Sequence, residues 1–316
     1  MSPSNERTRR GRLVRVLLVL GGMIAGVIVL GGVALYLAFG TDSTTTETAE
    51  QEDVTGLQLD NDTTGDVRIV ASDDDTAAVE ATLHSNLFST VESSVSGEET
   101  MEVDASCDEW FLGLCSVDYE IRIPSGSSVH VAGGTGQIAV EGVGGNTEIE
   151  NITGDVTLNE TSDVTARTTT GNIDISNAEG TVDLSTTTGD VTVAGAGDSL
   201  NITATTGQIN AADFDTPEID VATTTGDQTL SVGTGSVTSE ASTGNVNVVA
   251  DDAFGGLTVG TTTGDVEVLV AEDVGPFRVD GDSSTGDREI DVAIDPDAGT
   301  QLDVTTTTGD VRLSTQ

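Results

Sequence analysis

The chain of 316 residues carries 54 acidic side chains against 11 arginines and has no lysine, which gives a formal charge of −43. A surface this acidic repels the phosphates of nucleic acid, so we expect no nucleic-acid partner. The acidic composition with 3% aromatic residues resembles that of proteins from salt-loving archaea. The regular β-branched pattern described below argues against a disordered acidic tail.

The N-terminus combines a basic segment with a long apolar one. Residues 1–15 include five of the arginines, and residues 16–39 follow without a charge, which is enough to span a bilayer as a helix. The arginines predict a cytoplasmic tail at 1–15 and an extracellular C-terminal domain. We therefore expect a single-pass cell-membrane protein that contacts lipid through residues 16–39. Cleavage near Ala38 to Gly40 is the alternative.

Residues 40–53 separate this helix from the rest of the chain. Residues 41–53 read TDSTTTETAEQED, with no apolar face. This composition predicts a flexible, acidic, threonine-rich stalk.

Residues 54–135 hold alternating apolar runs, both histidines, both cysteines and the single tryptophan. We expect an N-terminal β cap here, because the open end of a stacked sheet needs a cover. Cys107 and Cys115 lie close in sequence, and outside a cell such a pair predicts a disulfide-closed loop. The loop either presents Trp110, Phe111 and Leu112 or buries them in the cap.

Four Asn-x-Ser/Thr motifs mark candidate glycosylation sites on an exported surface. They lie at Asn61, Asn151, Asn159 and Asn201.

From residue 136 onward a Thr-Gly turn followed by Asp, Asn or Gln recurs every 17 to 23 residues. A period of this size is typical of stacked-repeat architectures. Glycine is favoured in such turns because it adopts positive φ without steric cost. The ten turn glycines are Gly136, Gly154, Gly171, Gly189, Gly207, Gly226, Gly244, Gly264, Gly286 and Gly309.

Apolar residues alternate with polar ones on both sides of each turn. The residue four after the glycine is always apolar, and the residue two after it is apolar except at Gln228 and Arg288. Each coil thus supplies two short strands with one inward face, Val193 being inward and Thr192 outward. The sequence predicts an all-β, single-chain parallel β-solenoid of about ten coils over residues 136–316, with right-handed winding favoured.

A small residue, mostly threonine, recurs three residues before the glycine. Stacked coils should bring these side chains into an internal ladder with a spacing of about 4.8 Å. The ladder members are Thr168, Thr186, Ala204, Thr223, Ala241, Thr261, Ser283 and Thr306.

The residue after the glycine alternates between a carboxylate and an amide through eight coils. Alternation separates like charges, and we expect each side-chain amide to donate to the carboxylate beside it. Asp265, Asp287 and Asp310 break the alternation. They are weak candidates for a cation site, against a hydrated acidic corner as the alternative. We expect no catalytic residue and no cofactor.

Residues 119–130 read YEIRIPSGSSVH and precede the first of these repeats. This strand, followed by Thr-Gly repeats, resembles the β-strand-repeat "putative adhesin" family, a domain of unknown function. The resemblance implies a membrane-anchored surface protein and brings no catalytic residues with it.

The sequence therefore favours a non-enzymatic, adhesin-like or structural protein on the surface of a halophile. Its partner would be an envelope glycan or a surface protein. The alternatives are a carbohydrate-active β-helix enzyme and the ectodomain of an envelope sensor. Coils lengthen toward the C-terminus, so we expect any recognition at loops 273–277 and 295–299, near Arg278 and Arg288.

Overall fold

The computed structural model describes residues 43–86, 89–109 and 115–316. The predicted cytoplasmic tail (1–15) and transmembrane helix (16–39) lie outside these residues. Within the described ranges, no helix is long and apolar enough to cross a membrane.

The described chain forms one continuous sheet of 27 strands, bent into two faces. In spatial order, the first face contains β5 (Ser89–Ser96), β6 (Thr100–Glu109), β2 (Gly56–Thr64), β8 (Ser128–Thr135), β10 (Thr147–Thr153), β12 (Val164–Thr170), β14 (Thr181–Thr188), β16 (Ser199–Thr206), β18 (Glu218–Thr225), β20 (Ser236–Thr243), β22 (Gly256–Thr263), β26 (Gln301–Thr308) and β24 (Arg278–Thr285).

The second face runs beside the first, and the turn glycines join the two. In spatial order it contains β1 (Ser43–Glu52), β4 (Thr76–Ser85), β7 (Cys115–Pro124), β3 (Val67–Ser72), β9 (Ile138–Glu141), β11 (Val156–Asn159), β13 (Ile173–Ala178), β15 (Val191–Ala196), β17 (Ile209–Asp215), β19 (Gln228–Val232), β21 (Val246–Ala250), β23 (Val266–Val270), β27 (Val311–Thr315) and β25 (Arg288–Asp291).

Like strands of successive coils pair in parallel, so the predicted parallel β-solenoid is confirmed. The core lies between the two faces and is filled by the inward members of the alternation. Val191 and Val193 are 0% and 1% exposed, whereas Thr192 between them is exposed. Gln228 is also fully buried at an inward position. Its polar atoms are satisfied there, because Nε2 donates to the Glu240 carbonyl at 3.0 Å and Oε1 accepts from Ser239 at 2.5 Å.

The array begins earlier than residue 136. Strands β2 and β3, joined at Gly65, pair in parallel with β8 and β9 of the Gly136 coil. Residues 54–135 are therefore not one separate region. They contain the first regular coil, and their last strand, β8, belongs to the second, because the Gly65 segment carries the same turn and alternation as the repeats.

Beyond the Gly65 coil, the sheet continues with strands from residues 76–124. Strand β6 pairs in parallel with β2, and β7 pairs in parallel with β3, so these two make an irregular outer coil. Strands β5 and β4 then add antiparallel partners to β6 and β7.

For its described part, the structure contradicts the expectation of a flexible stalk at 40–53. Ser43–Glu52 forms strand β1, which pairs antiparallel with β4 through ten consecutive residues. Side chains of β1 are mostly exposed, so hydrophobic burial does not hold it. Pairing of its backbone groups with the edge strand β4 requires no apolar pattern, which is why composition did not reveal it.

At the C-terminal end, the coils do not stack in chain order. Strands β26 and β27 of the Gly309 coil lie between the Gly264 coil and the Gly286 coil. The Gly286 coil is therefore outermost, although it precedes the Gly309 coil in sequence. The spacings of 22 and 23 residues reflect this arrangement, because the chain must pass over one coil position and then return.

Candidate functional site

The corner between the two faces is built on the turn glycines. The Gly207 N–H donates to the Thr225 carbonyl of the next coil at 3.0 Å, and its φ is 150°. A Cβ on Gly207 would lie 1.8 Å from the Gly189 carbonyl oxygen of the preceding coil. Glycine is thus needed here for close approach as well as for the backbone angle.

The Asp and Asn residues after the glycines form a hydrogen-bond ladder along the corner, and in the described structure Gln137 and Gln208 interrupt it. Asp155 Oδ1 accepts from the Asn172 N–H at 2.8 Å, and Asn172 Oδ1 accepts from the Asp190 N–H at 2.9 Å. The expectation that side-chain amides donate to carboxylates is wrong. The donor is the backbone N–H, which an Asp or Asn oxygen reaches equally well.

The unalternated acids continue the same ladder. Asp265 Oδ1 accepts from the Asp310 N–H, and Asp310 Oδ1 accepts from the Asp287 N–H, both at 2.8 Å. The three acids thus lie in consecutive coils in the spatial order 265, 310, 287. The described residues contain no group of three or more His, Cys, Asp or Glu placed to hold a metal ion.

The predicted threonine ladder lies inside this corner. Thr186, Thr261 and Thr306 are 3–6% exposed. Their hydroxyls donate to glycine carbonyls of the preceding coil in space at 3.0–3.3 Å. Each such bond ties the first face of one coil to the turn of its neighbour.

Outside this ladder lies a second set of hydroxyls, which we name the threonine edge. Every turn glycine of the solenoid is preceded by an exposed threonine, and eight coils add an exposed Thr or Ser one residue earlier. The first column contains Thr64, Thr135, Thr153, Thr170, Thr188, Thr206, Thr225, Thr243, Thr263, Thr285 and Thr308. The second contains Thr169, Thr187, Thr205, Thr224, Ser242, Thr262, Ser284 and Thr307.

Parallel pairing sets the period of the threonine edge at about 4.8 Å, so eleven coils extend it over roughly 50 Å. Beside it, on the first face, a shallow groove of about 520 Å³ crosses five coils. Apart from Glu240, its lining is small or hydroxylated, with Thr205, Thr224 and Thr262 from the threonine edge and Thr223 from the inner ladder. The surface offers hydrogen-bond donors and acceptors at regular intervals.

A second cavity of about 370 Å³, the Gly133 cleft, interrupts the edge near its N-terminal end. Gly133 and Gly134 stand where neighbouring coils carry side chains, and Ile152 takes the position that is threonine or serine in every coil except this one and that of Gly134. Asn151 and Arg167 line the same cleft. Sequence reasoning missed this site, although its signal is visible as a departure from the repeat at these positions.

The expected recognition loops at the C-terminal end are joined to each other. The Phe277 N–H donates to the Ala293 carbonyl, and the Asp295 N–H donates to the Phe277 carbonyl, both at 2.9 Å. The Phe277 ring is 1% exposed and stacks on Phe254 with centroids 5.6 Å apart. Arg278 bonds Gln301 at 2.6 Å, whereas Arg288 is exposed in the outermost coil. The extra length of 271–277 therefore serves the crossover and its packing.

Cys107 and Cys115 form a disulfide with Cα atoms 6.2 Å apart, between strands β6 and β7. This disulfide lies at the corner of the irregular outer coil, where the regular coils have their glycine turn. Residues 110–114, with the predicted aromatic loop, lie outside the described residues.

The four glycosylation motifs occupy different environments. Asn201 is exposed and Asn159 is half-buried, but Asn61 and Asn151 are 2% and 5% exposed. Of the four candidates, Asn61 and Asn151 are therefore not accessible for modification in the folded chain. Asn61 and Asn151 occupy inward positions of their strands, and their side-chain amides donate to backbone carbonyls.

Comparison with solved structures finds distant similarity. The chain is similar to a "putative adhesin" of Bacteroides fragilis NCTC 9343, with 11% identity, a TM-score of 0.35, and coverage of 85% of this chain and 96% of that chain. A "putative adhesin" of Parabacteroides merdae ATCC 43184 gives 12% identity, a TM-score of 0.36, and coverage of 86% and 97%. A "putative lipid binding protein" of Parabacteroides distasonis ATCC 8503 gives 11% identity, a TM-score of 0.34, and coverage of 86% of this chain and 97% of that chain. No curated protein matches the chain.

One family model matches most of the described residues. The Toastrack DUF4097 model matches residues 54–314, which include the Tyr119–Pro124 strand and every coil of the array. The chain therefore belongs to the Toastrack DUF4097 family.

Proposed function

We propose that this protein is a non-enzymatic, adhesin-like surface protein that recognises an envelope glycan or a surface protein through its threonine edge. The observation that carries the proposal is the edge itself, a column of exposed threonines in all eleven coils that is doubled in eight of them, on a backbone fixed by parallel pairing. Hydroxyls both donate and accept hydrogen bonds. A partner with repeated polar groups can therefore make many weak contacts at once, and their effects multiply.

The remaining parts of the proposal concern placement. Residues 16–39 anchor the chain in the cell membrane, residues 1–15 remain in the cytoplasm, and the solenoid lies outside the cell. The strands of residues 76–124 cap the membrane-proximal end. The test is extraction of membranes at alkaline pH, in which the full chain should stay in the pellet and a variant lacking residues 16–39 should not.

The charge supports a halophilic setting. From residue 41 onward, six arginines face 53 acids, a formal charge of −47. Self-repulsion of these acids weakens as salt shortens the Debye length to about 3 Å at 1 M. The melting temperature should therefore rise steeply between about 0.1 and 3 M KCl. A melting temperature independent of salt would remove this part of the proposal.

The test of recognition removes hydroxyls from the edge without changing shape. Thr188, Thr206, Thr225 and Thr263 would be changed to valine, which keeps the β-branched form. The matched control changes four exposed threonines away from the edge: Thr157, Thr192, Thr229 and Thr238. Binding of each variant to purified cell envelope would be measured in high salt.

We expect the edge variant to lose binding and the control to retain it, with equal melting temperatures. Equal binding by both variants would contradict the role of the edge. Release of soluble sugars from the envelope would instead favour the alternative of a carbohydrate-active enzyme. Binding only to a receptor protein would favour the sensor alternative.

A further inference from the structure

We propose that Arg288 caps the open C-terminal end of the solenoid core and prevents a second copy of this chain from stacking on that end. The surface concerned is the outer side of the Gly286 coil, which consists of β24, the turn at Gly286 and β25. This inference does not depend on the proposed function.

The Gly286 coil has a neighbouring coil on one side only. Strand β24 pairs with β26 and β25 pairs with β27, and within the described residues neither strand has a partner on its outer side. The backbone N–H and C=O groups along that outer side are therefore unpaired. Such an edge is a template for pairing with another chain unless a feature of the sequence blocks it.

Arg288 occupies a position that points into the core. It lies in register with Val311, which lies in register with Val266, and both valines are 1% exposed. The inward positions of each coil lie seven, five and three residues before the turn glycine and two and four residues after it. From the Gly136 coil onward, Arg288 is the one charged residue at any of these positions.

The side chain of Arg288 lies across the end of the core. Gly281 stands opposite it on the first face, in register with the fully buried Val304. A Cβ on Gly281 would lie 3.6 Å from Arg288 Nε and 3.5 Å from Ile290 Cδ1. Glycine thus leaves room for the arginine between the two faces. Because Arg288 is nevertheless exposed, its stem covers the apolar layer of the Gly309 coil while its charge remains in solvent.

The surface around the cap is apolar. Val279 and Ile290 lie in register with Leu302 and Leu313, which are 0% exposed, but are themselves only half-buried. Without the charge of Arg288, this end would offer a second copy the same kind of apolar layer on which the coils of the array stack.

Stacking would bury a charge that has no counter-charge. Among the described residues, the Arg288 guanidinium makes no ion pair. A second copy placed end to end through the same coil would meet it with inward residues that include no carboxylate: Val279, Gly281, Ser283, Ile290 and Arg288 itself. Burial of an unpaired charge is costly, and an inward-pointing charge is one way in which edge strands avoid association.

The test replaces Arg288 by the residue type of the other coils. Arg288→Val restores an apolar inward position, and Arg288→Lys keeps a positive charge there. The matched control, Arg278→Val, removes the same charge from an exposed outward position of the same coil, where Arg278 bonds Gln301. Sedimentation velocity of the full chain in detergent and high salt would measure self-association over a range of concentrations. Association through any other part of the chain would be the same in all of these variants.

We expect Arg288→Val to lower the dissociation constant of self-association at least tenfold relative to the wild-type chain, and the other two variants to leave it unchanged. Amide exchange over residues 278–291 should slow with concentration in Arg288→Val alone, because its free edge becomes paired. An unchanged dissociation constant for Arg288→Val, or an equal decrease for Arg278→Val, would overturn the proposal. Exchange over 278–291 that slows equally in the wild-type chain would overturn it as well, since the end would then already bind a second copy.

A deletion tests the cap without relying on the fold of the outermost coil. Removal of residues 272–299 makes the Gly309 coil outermost, with Val311 at the position of Arg288. This variant should self-associate at least tenfold more tightly than the wild-type chain, and Val311→Arg in the same background should reverse the effect. Melting temperatures show whether both variants are folded. Folded variants that associate no more tightly than the wild-type chain, or that do not differ from each other, would overturn the proposal.

Discussion

At Gly207 both the backbone angle and a close contact with the neighbouring coil exclude a side chain. The backbone angle of +150° disfavours residues with a Cβ, and the carbonyl of Gly189 occupies the place where that Cβ would lie. The same contact recurs at nearly every turn of the array. The Thr-Gly repeat is therefore a packing requirement of the stack as well as a turn signal.

We predict that Gly207→Ala destabilises the solenoid by about 2–4 kcal/mol. The added methyl group would force the Gly189 coil and the Gly207 coil apart at this turn. Gly126→Ala is the matched control, since a Cβ there would meet nothing within 4 Å. The control should change stability by no more than about 0.5 kcal/mol. Denaturant unfolding measures both, and similar effects would show that the close approach is not tight.

The titration of Tyr119 couples to folding because its phenol is buried. Burial raises the pKa of its phenol above the ordinary value of 10.0, its hydrogen bond with Ser93 lowers it, and Asp104 and Glu47 raise it further. A raised folded pKa means that the associated stability is complete below the unfolded pKa and is lost as pH rises through the folded pKa.

We predict that Tyr119→Phe flattens the fall in stability above about pH 10. At neutral pH the variant should cost about 1 kcal/mol, because the Tyr119–Ser93 hydrogen bond of 3.0 Å is lost. Unfolding curves from about pH 8 to about pH 11 provide the measurement. An unchanged alkaline slope would show that another group controls it.

At the scale of the strand, a shift of one residue in register moves every side chain to the opposite face of the sheet. In β15, Val193 faces the core of the solenoid and Thr192 faces solvent, as the alternation predicted. Val191 and Thr192 pair in regular register with β13 and β17, and the β15–β17 ladder shifts register only after Thr192. A slip of one residue along the regular part would turn the apolar set outward.

We predict that Val193→Asp unfolds the neighbouring coils, since a buried carboxylate without a partner costs several kcal/mol. Thr192→Asp should leave the melting temperature nearly unchanged. Circular dichroism during heating separates the two variants, and equal melting temperatures would refute this register.

Much of the fold follows from the sequence because alternation and glycine spacing act locally. The inward position of Asn151 follows from the same alternation, since it precedes Gly154 by the three residues of the threonine ladder. The coil order does not follow, because all coils have nearly the same two surfaces and any coil can stack on any other. The Gly133 cleft arises where one coil has glycine at a position that carries a side chain in both neighbouring coils, and a prediction drawn only from features that the coils share does not include it.

At the scale of the molecule, both ends of the array use one topological device. At the C-terminal end, the outermost coil is made by residues 278–291, and the last coil in sequence lies inside it. At the N-terminal end, the Gly65 coil lies inside β6 and β7, which follow it in sequence. In each case a segment leaves the stack, covers the end and returns.

We predict that residues 272–299 behave as a removable insertion. Their deletion leaves a spacing of 17 residues from Gly264 to Gly309, which is that of an ordinary coil, and β26 and β27 keep their contacts with β22 and β23. Removal of residues 301–316 should instead release 278–291, whose strands pair with β26 and β27. Hydrogen exchange should show the first variant protected throughout and the second unprotected over 278–291. Protection of 278–291 after that truncation would refute this order.

The inner position of the last coil has a mechanical consequence. Gln316, the C-terminal residue, donates its N–H to Val270 at 2.9 Å, and its coil has a hydrogen-bonded neighbour on each side. A pull on this end must shear two ladders together, whereas an outermost coil would peel from one. Single-molecule pulling should therefore release the last coil at higher force in the full chain than after deletion of 272–299. A protein tethered at one end and loaded at the other would thus be reinforced where a solenoid is otherwise easiest to unravel.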